Sequence, residues 1–159
     1  MFERETAVLR FMQSYGDDLL ADIEPDAMCR QPVPGLNHPA WIVGHLAIAA
    51  DGHSQYAGGT PELGHWKERF GFASKITANP SDYPDKQELI EAWHAANERL
   101  IHAVSTADDA LLDKPTTGPM GAQLPTYREF LAFSMTGHTA MHLGQLSAWR
   151  RADGRAPLF

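Results

Sequence analysis

The chain has 159 residues, with 13 Lys plus Arg against 20 Asp plus Glu, a net charge of -7, and 8 His. At 43% apolar and 21% charged it reads as one folded domain over 1–159, and a second domain of normal size is excluded. The acidic balance argues against a nucleic-acid partner, because the only basic cluster is Arg150-Arg151. Cys29 is alone, so no internal disulfide forms and a reducing cytoplasm fits.

The first stretch, 3–23, places Val8, Met12, Tyr15, Leu19 and Ile23 on one helical face. Glu3, Arg4, Glu5 and Arg10 interrupt any apolar run of signal-peptide type. Glu24-Pro25-Asp26 ends this helix, and Gln31-Pro32-Val33-Pro34-Gly35 reads as a loop.

A second helix starts at Asn37 or His38, since Pro39 is tolerated in a first turn. From Pro39 to Ala50 there is no charged residue, which predicts burial on most sides. Residues 58–84, rich in Gly and Pro, predict a long loop with a short helical turn near 64–70, either a binding segment or a passive connector.

A third helix is predicted from Asp85 to Ser105, with Leu89, Trp93, Ala96, Leu100 and Ala103 on its apolar face. After a loop over 106–125, Thr126 and Glu129 form a capping box. The fourth helix then runs unbroken to Ala152 and stops at Gly154, a length of ~40 Å. From Phe130 to Trp149 it carries no charge. A membrane span is rejected, because Ser134, Thr136, His138, Thr139, His142, Gln145 and Ser147 are too polar for lipid. The pattern is all-α: four helices around one core.

The histidines carry the chemistry. His138 and His142 stand four apart, on one helical face and in a buried, charge-free stretch. His45 is in the same position on the second helix. Buried imidazoles need partners, and one ion would satisfy all three if the helices face each other. Such a site leaves an open position for water or substrate. Imidazole suits zinc, nickel, copper or iron, and spacing leaves the element open.

The other histidines have plainer explanations. His38 caps a helix, His53 lies toward the mouth of the site, His65 is in a loop, and His94 and His102 are on a solvated face. Glu62-x-x-His65 and Glu91-x-x-His94 match a di-iron pattern, but neither buried helix supplies the glutamates such a site needs. Gly137, Ala140, Gly144 and Ala148 form a stripe of small residues, which predicts close approach of another helix, foremost one of the same chain and alternatively one of a second subunit.

Gly137-His138-Thr139-Ala140-Met141-His142-Leu143-Gly144-Gln145-Leu146, with Arg150-Arg151 and Gly154, resembles the end of DinB-like (DinB/YfiT-like) metalloproteins. Asn37-His38-Pro39-Ala40-Trp41-Ile42-Val43-Gly44-His45-Leu46 resembles that family's second helix. The resemblance implies a four-helix bundle with an up-down-down-up path and long crossover loops. It implies a divalent metal on His45, His138 and His142, with zinc or nickel foremost and iron or manganese as alternatives. It also implies a homodimer. Relatives include thiol-dependent S-transferases and a mycothiol-dependent maleylpyruvate isomerase.

Two functions are expected on this basis. One is an enzyme acting on a small molecule, a thiol S-transferase or a hydrolase, whose metal activates a low-molecular-weight thiol or water. Trp41, His53, Asn97 and Gln145 are its expected pocket residues, with Gln145 orienting a ligand. The other is a non-catalytic metal-binding or stress-response module with a closed site, using a fourth ligand such as His53 or an Asp.

Overall fold

A computed structural model describes residues 1–118 and 120–158; Pro119, in the second expected loop, and Phe159 lie outside them. Helix α1 spans Glu3–Ala21. Its final turn would leave backbone carbonyls without partners. The Asp22 and Ile23 amides bond the Leu20 carbonyl, and Lys86 Nζ adds a donor to it at 2.7 Å and one to the Ile23 carbonyl, just beyond the helix, at 2.8 Å.

Helix α2 spans Pro39–His53 and is buried along most of its length. His38 is its N-cap: Nδ1 accepts from the Trp41 amide at 3.1 Å. The turn expected near 64–70 is a 3-10 turn at Gly64–Trp66 followed by the short helix α3, Lys67–Phe70. Helix α4 spans Lys86–Thr106, capped by Asp85 onto the Glu88 amide at 2.8 Å. It buries Leu89, Trp93, Ala96, Leu100 and Ala103, the predicted face, together with Asn97. The region 106–125 is not all loop, since α5 forms at Asp109–Leu112.

The predicted capping box of Thr126 and Glu129 opens α6, Tyr127–Phe133. The single helix expected from there to Ala152 is interrupted. A π-helical turn occupies Ser134–His138, and α7 follows at Thr139–Ala152. Hydroxyl back-bonding explains the break. Thr139 Oγ1 donates to the Ser134 carbonyl, five residues back, at 3.1 Å, and Thr136 Oγ1 donates to Ala132 at 2.6 Å. Gly154, with φ of 80°, ends α7 as expected.

Among the described residues there is no strand; one isolated bridge pairs Pro115 with Thr126. No described helix is long and apolar enough to cross a membrane. The fold is all-α.

Side-chain pairs order the long helices. Arg10 meets Glu98, Gln13 meets Asn97 and Asp17 meets His94, so α1 and α4 pass in opposite senses. Asn37 meets Gln145, His45 meets His138 and His53 meets Ser134, so α2 and α6–α7 also do. Gly16 lies against Leu143, while Arg150 bonds Asp22 and the Leu19 carbonyl, so α1 and α7 run in the same sense.

The interior holds Leu19, Ile42, Phe70, Trp93, Leu146 and Trp149 as one apolar cluster. Leu9, Leu100, Leu112, Leu131 and Met135 make a second. Each fully buried side chain of this size contributes ~1.5–3 kcal/mol relative to exposure. The stripe of small residues does not receive a helix of the same chain. Ala140 and Gly144 face solvent, and Gly137 makes room for Phe133 of its own segment.

Candidate metal centre

The N-cap of α2 and two residues within it, at steps of three and four, are tied to the end of α3 and the segment that follows it. His38 Nε2–H donates to the Thr77 carbonyl at 2.9 Å, the tautomer set by its Nδ1 cap. Trp41 Nε1–H donates to Ser74 Oγ at 2.8 Å. His45 Nδ1–H donates to the Phe70 carbonyl at 2.8 Å. This part of the long loop is therefore no passive connector: it fixes the side chains of α2.

His45 meets the far element at its two histidines. The ring centroids of His45 and His142 are 4.5 Å apart, those of His138 and His142 4.6 Å, and those of His45 and His138 5.3 Å. One nitrogen from each ring converges, all within 4.8 Å of one another. The three residues are largely shielded from solvent, His138 the least so.

Their tautomers suit coordination. The Phe70 carbonyl holds the His45 proton on Nδ1 and leaves the Nε2 lone pair inward. Gln145 Oε1 accepts from His142 Nδ1–H at 3.1 Å and from Asn37 Nδ2 at 3.1 Å, which frees His142 Nε2 in the same way. His45 Nε2 and His138 Nε2 are 3.3 Å apart. Tetrahedral zinc, with bonds of ~2.0–2.1 Å, separates its ligand nitrogens by about that distance. A divalent ion therefore fits the donor set.

Electrostatics point the same way. Burial, then the neighbouring His142, His45 and His53, pushes His138 down to about 3. Burial and His45 push His142 down to about 4, against the opposing Gln145 bond. Burial lowers His45 as well, opposed by its bond to Phe70. The rings are neutral near pH 7, the state a ligand must have.

The expected pocket residues divide. Trp41 stacks on His45, with centroids 4.8 Å apart and planes 10° apart. Gln145 orients His142 as described. His53 shares a hydrogen bond with Ser134 at 2.6 Å and stands edge-on to His138 at 6.0 Å. Asn97 is brought elsewhere: it is buried against α1, donating to Gln13 at 2.9 Å, and no described contact joins it to the histidines.

His94 is not simply solvated, since it pairs with Asp17 at 2.8 Å. His65 and His102 are exposed. Sequence reasoning missed the Phe70 carbonyl, because a backbone acceptor has no residue signal. It also missed the bond from Asn37, read only as a helix start, to Gln145, and that of Ser134, whose polarity within a charge-free stretch was the available clue.

A helical fold with three convergent histidines, two of them with their tautomers set by hydrogen bonds, defines a class of helical proteins with a candidate metal site. The DinB superfamily matches over residues 9–146, and the chain belongs to it. A solved structure, described as the crystal structure of the conserved protein of locus from Enterococcus faecalis, is similar with a TM-score of 0.73 and 17% identity, covering 96% of each chain. At that identity the likeness speaks for the fold alone. No curated protein matches the chain.

Proposed function

We propose that this protein is a metal-dependent enzyme built as an up-down-down-up four-helix bundle with long crossover loops. The senses of the α1–α4, α2–α7 and α1–α7 pairs support that path. His45, His138 and His142 hold a divalent ion, zinc or nickel foremost and iron or manganese as alternatives. The observation that carries this is the inward lone pairs of His45 and His142, enforced by Phe70 and Gln145.

A divalent ion with an open position lowers the pKa of a bound thiol or water and supplies a nucleophile near neutral pH. The chain's own contribution is to orient and to exclude water. Trp41 covers one face of His45 and is locked by Ser74. Asn37 and Gln145 fix His142. The substrate is a small molecule, with a low-molecular-weight thiol as co-substrate in the S-transferase form. The acting unit in this proposal is a homodimer, checked by sedimentation.

A non-catalytic module would need a protein group to close the site. Among the described residues the convergent group holds three members, and His53 is engaged by Ser134. Protein loaded with zinc or nickel, assayed with glutathione, bacillithiol, mycothiol or water against a panel of electrophiles, tests the choice. Turnover that is lost in His142→Ala is the expected result. No turnover with any of these nucleophiles speaks for the binding module.

A further inference from the structure

Resting on the three-histidine reading above, we infer that His53 and Ser134 are a positioning pair that sets where His138 meets the ion. Neither residue belongs to the convergent group.

The segments α2 and α6–α7 pass each other in opposite senses, and their contacts form successive levels. The ligand level is bracketed on both sides by side-chain hydrogen bonds between the same two segments. On one side Asn37 bonds Gln145 at 3.1 Å. On the other His53 Nδ1 and Ser134 Oγ share a bond of 2.6 Å.

Ser134 is the first residue of the π turn and His138 the last. The hydroxyl and the carbonyl of Ser134 are both committed. Its hydroxyl reaches across to His53, and its carbonyl accepts from Thr139 Oγ1 at 3.1 Å. The side chain is nearly excluded from solvent, at 4% exposure. Gly137 completes the turn: a Cβ there would lie 2.8 Å from the Phe133 ring, which stands edge-on to His138 at 6.3 Å. The His53 ring is itself wedged edge-on against Phe130 at 4.8 Å.

A π turn adds one residue to a helical turn, and such turns persist chiefly where function requires them. One residue of register rotates everything beyond it by about 100° around the helix axis. The phase that aims His138 and His142 at α2 is therefore set inside Ser134–His138. The His53–Ser134 bond pins the start of that turn to the helix carrying His45. Without it the turn can relax, and His138 loses its fixed reach while Phe70 still holds His45 and Gln145 still holds His142.

Cobalt(II) binding to full-length protein tests this, read as affinity by chelator competition and as the visible d–d spectrum. Metal-free thermal melts run alongside. Ser134→Ala and His53→Leu are expected to bind cobalt about 10–100-fold more weakly, with a changed d–d band. The double variant is expected to lose no more than the worse single, because both remove one interaction. His53→Asn, whose amide reaches the place of Nδ1, recovers most of the affinity and the wild-type band.

Wild-type affinity and spectrum in Ser134→Ala and His53→Leu overturn the positioning pair, even if both melt lower. Should His53→Leu fail to fold, Ser134→Ala decides, since it removes a single oxygen. A wild type that binds no cobalt overturns the three-histidine reading, and this pair with it.

Discussion

His45 donates its Nδ1–H to the carbonyl of Phe70 at 2.8 Å, and the residue before it, Gly44, has no room for a Cβ because the Phe70 ring fills that space. The last residue of α3 thus packs its side chain against α2 and orients the His45 ring with its backbone. Phe70 is wholly buried, so it cannot swing away freely. Gly44→Ala is expected to destabilise the protein by about 1–3 kcal/mol through overpacking. Zinc affinity should fall in the same variant as the carbonyl shifts. Urea melts and chelator competition check the two effects separately.

Gln145 couples His142 to Asn37. Gln145→Leu removes the acceptor that holds the His142 proton on Nδ1, and a loss of about 10–100-fold in zinc affinity is expected. Gln145→Glu keeps an acceptor and should bind zinc at least as tightly as the wild type. Equal binding by the Leu and wild-type proteins would show that His142 needs no such partner.

The helices were legible because their apolar residues recur at helical spacing, as with Leu89, Trp93, Ala96 and Leu100 on α4. The convergence of His45, His138 and His142 was legible because they interrupt charge-free stretches, where an unpaired imidazole is costly. The π turn was not. Thr136 and Thr139 look like ordinary polar helix positions until their hydroxyls are seen bonding backward. Asn97 was expected at the pocket, yet it faces α1 and Gln13. The stripe through Ala140 and Gly144 was read as an inward contact, whereas both face solvent. Spacing identifies a face but not the neighbour it meets.

Acid should weaken the metal-free fold within a defined window. Burial depresses His38, and it brings His53 and His142 down to about 4 and His138 to about 3. In the unfolded chain each returns to ~6.5. Between those values the unfolded state binds more protons, so stability falls as pH drops below about 6.5 and is level above it. Each such group contributes up to ~1.4 kcal/mol per pH unit inside its window. Urea midpoints from pH 8 to pH 4, with chelator present, check the sign. Stability that rises on acidification would contradict it.

A second polar device lies away from the histidines. Asp51, 2% exposed, accepts from the amides of Glu62 and Leu63 and from Arg99 at 2.7 Å. It clamps the loop after α2 to α4. Arg99→Leu leaves that buried carboxylate without its counter-charge, and a loss of about 3 kcal/mol is expected. Arg99→Lys should restore part of it. Chemical denaturation of the three proteins gives the comparison.

Metal content tests the central claim most directly. Protein purified without a metal-affinity column, then dialysed against zinc or nickel and submitted to elemental analysis, should hold one divalent ion per chain. The variant His45→Ala/His138→Ala/His142→Ala should hold almost none while keeping its helical circular dichroism. Equal metal in the two proteins, or none in the wild type, would contradict a three-histidine centre.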